Sequence, residues 1–435
     1  MRICVVNSAS PPAIGSRSER WLNLTRELIR AGHEVTLIRS ALPAGIVGDS
    51  GLERALLELD CRTITLPPGM FAAWQSNRSG PHLLQKLRQG ISQVIWPDHW
   101  LGFGLAAARW IEDRASEFDL AISSGFPWSN HLAGFQAANR GVVWIADYGD
   151  PWGIENRGER WCPNAEYASE RRLLAAASGL IVTTVATERL FKQHYPDLTT
   201  LTLPAGVSDL ALGPPPARSA LNLLQAGNVY GPRASVAPFA AAVRRITATC
   251  RLPVTLTWCG EIWRETERQA VEACATEYMA RVDQQRLREL EREATVVVVF
   301  GNSGGTQIPG KIWRSLASNR IVLVILADSH DPLGGLAELS GRSVVTTNDP
   351  EAIFDALQKC EALVGQWPWD EPSRLPKLPT WKDRAECLLE FVESQRRSHA
   401  TRRTSTRTDL RLLATWNTIS GTKLSWVWSR IKAQR

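Results

Sequence analysis

Between Ile122 and Trp152 the chain reads ISSGFPWSNHLAGFQAANRGVVWIADYGDPW. An apolar run ends in small residues, a Pro-Trp turn follows, and a helix opens near His131. A second apolar run then ends in Asp147-Tyr-Gly-Asp150-Pro-Trp. A histidine and two acids thus gather where two neighbouring parallel strands end, which is where open α/β sheets bind ligands. His131 near a helix start suits a cap or a satisfied polar group. Asp150, directly before Pro151, has the form of an N-cap.

Three other chemistries fail on their motifs. Gly305-x-x-x-x-Gly310-Lys311 has Walker-like spacing, but Ile312 stands where a magnesium-binding hydroxyl is needed and Pro309 removes a phosphate-cradling N–H. Ser8–Ser18 lacks the G-x-G-x-x-G of a dinucleotide site. Ser303-Gly304-Gly305 does not supply the G-x-S-x-G of a serine hydrolase.

The elements needed to position these residues are legible. Arg2–Asn7 is β-rich, Glu19–Ala31 carries Trp21, Leu24 and Leu28 at helical spacing, and Glu34–Ile38 is again a strand. Further strands are expected at Arg62–Leu66, Leu120–Ser123, Val142–Ala146, Leu180–Thr183 and Thr200–Leu203. Gly213-Pro214-Pro215-Pro216 breaks all periodicity and reads as a linker. The pattern restarts with strands at Leu221–Gln225, Val254–Trp258, Thr295–Phe300, Ile321–Ile325 and Ser343–Thr346, and a last helix covers Lys382–Ser394. Two doubly wound α/β domains follow, over residues 1–212 and 218–395, with a tail over 396–435.

Composition narrows the function. The chain of 435 residues is 44% hydrophobic and 22% charged, as in globular proteins. Its eight cysteines are scattered without a C-x-x-C pair, against a zinc site or a disulfide framework. The opening MRICVVNSAS reads as a core strand rather than a signal peptide, so a cytoplasmic location is expected. The net charge of +6 hides a basic tail, since Arg396–Arg435 holds ten Lys/Arg against one acid. The body is nearly neutral, which argues against nucleic acid as a partner. Trp416, Trp426 and Trp428 interleave with Lys423, Arg430, Lys432 and Arg435, a composition suited to an anionic membrane at the inner face of the plasma membrane. A solvated, disordered tail is the competing reading. Leu83, Leu84, Leu87, Ile91 and Ile95, flanked by Trp74, Trp96 and Trp100, form an apolar stripe suited to a buried helix, or to an acceptor or membrane surface.

The chain resembles the GT-B glycosyltransferases of the large retaining family 4, in the branch that assembles bacterial surface polysaccharides. The residues that carry the likeness are Pro11-Pro12 with Gly15 and Glu19-Arg20, Ala31-Gly32-His33-Glu34-Val35, Pro97-Asp98, Ser123-Ser124, Pro127-Trp128, His131 and DYGDPW. In the second half they are Gly227, Tyr230-Gly231-Pro232-Arg233 and Ile308-Pro309-Gly310-Lys311-Ile312-Trp313. The resemblance implies two Rossmann-like domains facing each other across a cleft. It implies transfer of a sugar from a nucleotide-sugar donor to a glycan or lipid-linked acceptor, with no cofactor. It places His131 against the donor sugar, and Arg233 and Lys311 as the cations for the leaving diphosphate. Gly15, Gly227 and Tyr230 would line the donor site. The D-x-x-D spacing of Asp147 and Asp150 differs from the D-x-D of metal-dependent glycosyltransferases, so no metal is expected.

One departure stands out. The family usually has Lys-hydrophobic-aromatic-Glu-Tyr, with the Glu accepting from the nucleotide ribose, where this chain reads Lys311-Ile312-Trp313-Arg314-Ser315. The family's partner acid is replaced by Thr306, and its Asn-Gly turn by Pro204-Ala205-Gly206. An Arg donates only, so Arg314 suits a phosphate, and the acceptor role would fall to another acid such as Glu261 or Asp328. The rival reading is a glycosyltransferase-like protein that binds without turnover.

Overall fold

Uninterrupted apolar runs, buried on both faces, build two parallel sheets. The structure is a computed structural model that describes residues 1–76, 95–152, 163–207, 216–229, 235–280, 282, 284–303, 306–369 and 377–402. The first sheet comprises β1 (Arg2–Val6), β2 (Glu34–Ser40), β3 (Arg62–Leu66), β4 (Leu120–Gly125), β5 (Val143–Tyr148), β6 (Gly179–Val182) and β7 (Thr200–Thr202), in the order β3-β2-β1-β4-β5-β6-β7. The second comprises β8 (Leu221–Ala226), β9 (Val254–Cys259), β10 (Glu277–Met279), β11 (Val296–Phe300), β12 (Ile321–Leu326) and β13 (Ser343–Thr347), in the order β10-β9-β8-β11-β12-β13. Every described pairing is parallel, for example Val5↔Ile122 between β1 and β4 and Val297↔Leu224 between β11 and β8. The order reverses between β1 and β4, and again between β8 and β11. Those two switch points are where each domain can receive a ligand.

The two-residue period of a strand divides each core between the faces of its sheet. On β1, Cys4 and Val6 join Trp144, Tyr148 and Phe191, whereas Ile3 and Val5 join Trp21, Leu24 and Leu28 on the opposite side. All twelve strands expected from the sequence are present. The thirteenth, β10, is a three-residue edge strand whose Glu277 is exposed, too short and too polar to show an apolar run. The last helix runs Trp381–Arg402, eight residues beyond the expected Ser394 and into the segment read as tail. Sequence order placed it with the second domain. Instead its Trp381, Leu388, Phe391 and Val392 join the core of the first, and a Cβ on Gly179 would sit 2.7 Å from the Phe391 ring. The chain therefore crosses back and ties its end to its beginning.

Gly213, Pro214 and Pro215 of the linker, the stripe from Leu83 to Ile91 and the tail beyond Arg402 lie outside the described residues. The seven described cysteines are free. Among the described residues no helix is long and apolar enough to cross a membrane.

Candidate active site

The first domain presents the ends of β1, β4 and β5. After β1 the chain turns through Ser8 and Ser10, both buried, to Gly15, which stands before helix Ser16–Arg30 at φ +151°. Few residues other than glycine adopt that backbone. A Cβ there would meet nothing within 4 Å, so Gly15 borders open space at the start of the helix.

Buried polar contacts fasten this helix to the end of β5. Asp147 accepts from the Trp21 indole at 2.9 Å, from Arg20 at 3.3 Å and from the Ser124 hydroxyl at 3.2 Å. One turn nearer the N-terminus, Arg17 pairs with Asp150 at 3.2 Å, and its guanidinium lies against Gly149. Both acids of the D-x-x-D are thus held by cations of one helix. Residues 151–152 are not helical, so Asp150 does not cap a helix as its Asp-Pro form suggested. Arg17 was not singled out in the sequence, because nothing local marks a residue whose partner lies 133 positions away.

Asp98, which the sequence placed in the family signature, acts as a brace. Its carboxylate accepts from the backbone N–H of Trp128 at 2.6 Å and of Ser129 at 3.1 Å, and from the Ser129 hydroxyl at 2.6 Å. This fixes the turn from which helix Asn130–Asn139 starts.

His131 is fully buried. Its ring stacks on Tyr148 at 4.5 Å between centroids, and Trp128 and Trp144 pack nearby. The Trp144 indole donates to Ser123 Oγ at 2.8 Å, and Ser123 Oγ lies 2.8 Å from His131 Nδ1. All three groups are satisfied when the serine donates to Nδ1, which leaves the ring proton on Nε2. Nε2 has no partner among the described residues and lies beneath Gly125, where an added Cβ would come within 2.6 Å of it. Burial, helped by the nearby Arg17 charge, pushes the imidazole pKa down to about 3, so the ring is neutral. The resemblance placed His131 against the donor sugar. In this structure its Nε2 faces the backbone of Gly125 at the end of β4.

The second domain contributes the end of β8. Gly227 adopts φ +122°, which carries the chain past Lys311. The Lys311 ammonium donates to the Ala226 carbonyl at 2.8 Å and lies 3.1 Å from where a Gly227 Cβ would be. Arg314, one turn on, is not presented to the cleft as a bare cation. Its Nε and Nη2 donate to the two oxygens of Glu291, each at 2.7 Å, as a two-pronged pair with helix Gln284–Glu293. Both side chains are about three-quarters buried or more. The resemblance suited Arg314 to a phosphate; in this structure its Nε and Nη2 pair with Glu291, a partner 23 residues away that no local pattern announces. Tyr230 and Arg233 lie outside the described residues.

The C-terminal edges of the two sheets meet. A Cβ on Gly310, the N-cap of helix Lys311–Ala317, would touch the Ser16 Cβ at 3.2 Å. The Thr306 carbonyl accepts from the hydroxyls of Thr184 at 2.7 Å and Thr187 at 2.8 Å, so Thr306 ties the domains together through its backbone. Gly15 and Lys311 are thereby brought to one seam from opposite domains. Among the described residues no group of His, Cys, Asp and Glu is arranged to hold a metal ion.

Residues 18–206 match the model of the glycosyl transferase 4-like domain. Over nearly the whole chain the fold is that of sucrose-phosphate synthase from Thermosynechococcus elongatus, with a TM-score of 0.60 at 16% identity, covering 90% of this chain and 98% of that one. Residues 18–206 are thus a glycosyl transferase 4-like domain, within a chain that has the GT-B fold. An E. coli trehalose-6-phosphate structure bound with UDP-2-fluoro glucose is also similar, with a TM-score of 0.53 at 10% identity over 91% of this chain and 96% of that one. So is a putative UDP-N-acetylglucosamine 2-epimerase from Listeria monocytogenes, with a TM-score of 0.56 at 14% identity over 94% and 98%. At these identities the structures speak for the fold alone. No curated protein sequence matches significantly. In the glycosyltransferase frame, the β1–β4 switch point belongs to the matched domain and the Gly227–Lys311 contact to the other.

Proposed function

We propose that this glycosyltransferase uses a nucleoside-diphosphate sugar and transfers the sugar, with retention at its anomeric carbon, to a glycan or lipid-linked acceptor in surface-polysaccharide assembly. The observation that carries the reading is Lys311, whose ammonium sits on the Ala226 carbonyl beside Gly227 at the second domain's switch point. There it can neutralise charge that develops on a departing diphosphate. Similar folds recorded with UDP or a UDP-sugar support a donor of this class.

In this reading the donor lies against Gly227 and Lys311, with Arg233 as a second cation and Tyr230 beside it. The acceptor approaches from the side of Gly15. It attacks on the face the nucleotide leaves, and the donor phosphate takes the acceptor proton. Glu291, oriented by Arg314, supplies a carboxylate near the position where the family has one, and its oxygens have lone pairs beyond the Arg314 bonds. His131, neutral and buried, shapes the end of β4 and serves as no general base. The basic tail would hold the enzyme to an anionic membrane.

The test is a thermal-shift panel of UDP-, GDP- and ADP-sugars on the wild type, Lys311→Met and Arg314→Glu, with donor hydrolysis followed alongside. A true donor at 100 times its Kd stabilises by about 2.7 kcal/mol. One donor should stabilise the wild type and lose its effect in Lys311→Met. Stabilisation of the wild type by none of the donors would refute the reading.

A further inference from the structure

The seam between the domains carries opposite charges on its two sides. Helix Ser16–Arg30 and helix Lys311–Ala317 begin against each other at the Ser16–Gly310 contact. Glu19 lies three residues along the first helix, and Arg314 lies four residues beyond Gly310 on the second. Both therefore stand about one turn from the shared contact. Among the described residues, the charges that act on Glu19 include Asp49 of its own domain and, from the other, Glu291, Arg314 and Arg288. Its carboxyl is raised from the ordinary range because burial outweighs the attraction of those two cations. Among the described residues, the cations that act most on this first-domain carboxylate, Arg314 and Arg288, come from the second domain. Glu291 holds the Arg314 guanidinium so that it stays at this level of the helix.

We propose that Glu19 and Arg314 are positioning residues that set the register of the two domains across the cleft. The attraction holds the start of one helix against the start of the other, so that the Gly15 loop and Lys311 face each other. The inference uses the two-domain glycosyltransferase reading but not the identity of the donor. Neighbouring contacts support it. Thr184 and Thr187 reach the Thr306 carbonyl, and Arg384 places its guanidinium 5.6 Å over the Trp313 ring while its Nε donates to the Ala205 carbonyl at 3.4 Å. None of those contacts pairs two formal charges, so the Glu19–Arg314 attraction is the part that salt and charge reversal can address.

The experiment is small-angle X-ray scattering of the full chain at 0.1 and 0.5 M NaCl, with no ligand added and circular dichroism as a check on folding. Glu19→Arg sets a cation against Arg314 and Arg288. It should expand the particle at low salt, and screening at high salt should reduce the expansion. Adding Arg314→Glu to Glu19→Arg reverses both charges and should restore the wild-type radius. Glu19→Gln, the mildest change, should lower the closed-to-open ratio roughly two- to five-fold. Wild-type scattering from Glu19→Arg at both salt concentrations, or expansion that Arg314→Glu does not reverse while the fold is intact, would overturn the proposal. A donor panel that fails while the scattering behaves as expected would count against the donor reading and leave the seam in place.

Discussion

His131 converts burial into a pH dependence that can be measured. Its ring is fully buried, and its pKa is pushed from the ordinary 6.5 to about 3. The folded-state pKa is depressed, so the unfolded chain takes up a proton below pH 6.5 that the folded chain refuses. The contribution is therefore fully present above pH 6.5 and is lost as the pH falls from 6.5 toward 3. At pH 5, roughly 1.5 units below the unfolded value, the cost is about 2 kcal/mol at 1.36 kcal/mol per unit. The comparison is with His131→Phe, which keeps an aromatic ring against Tyr148 and cannot titrate. Hydrogen exchange of peptides from β4 and β5, corrected for intrinsic rates, should be followed at pH 7.5 and pH 5. The wild type should lose about 2 kcal/mol more protection over that interval than the variant. His33, whose pKa burial also lowers, is present in both proteins and cancels. Equal losses in the two proteins would show that the imidazole is solvated or paired with an acid, and the argument from burial would fail.

Three further outcomes follow from the site. Asp147→Ala strips the acceptor from Arg20 and Trp21 and leaves a buried guanidinium unpaired, so urea denaturation should show a loss of about 3–5 kcal/mol. A loss below about 1 kcal/mol would mean that water takes over the acceptor role. Arg314→Ala leaves Glu291 without its fork and should cost roughly 1–3 kcal/mol in thermal denaturation, whereas an unchanged Tm would show the pair to be open to solvent. Gly227→Ala forces a side chain into a φ of +122° and to within 3.1 Å of the Lys311 ammonium. It should cost roughly 1–3 kcal/mol and abolish the donor's thermal shift, and a retained shift would place the donor elsewhere.

Much of the fold was legible because a parallel strand buried on both faces leaves an unbroken apolar run. Val296–Phe300 and Ile321–Leu326 are such runs, and helix Ser16–Arg30 shows its buried stripe through Trp21, Leu24 and Leu28. β10 escaped notice because an edge strand of three residues buries too little to require that pattern. The crossing of helix Trp381–Arg402 to the first domain was also invisible, since an apolar stripe states that it must be covered and not by which domain.

The candidate site divides along the same line. The family resemblance singled out Gly15, Gly227 and Lys311, with backbone freedom and a cation after a strand as its local support. The sequence also determined the two-domain architecture, through the restart of the strand pattern after the proline-rich break. Partners were decided only in three dimensions. Only the fold brings Arg20 and Trp21 onto Asp147 at its strand end, and only the fold pairs Arg314 with Glu291. The resemblance set His131 against a sugar, and only the fold shows its ring stacked on Tyr148 beneath Gly125. The physical reason is range. Periodicity and backbone preference act within a few residues, whereas an ion pair or a desolvated ring is set by the packing of segments 20 to 130 positions apart.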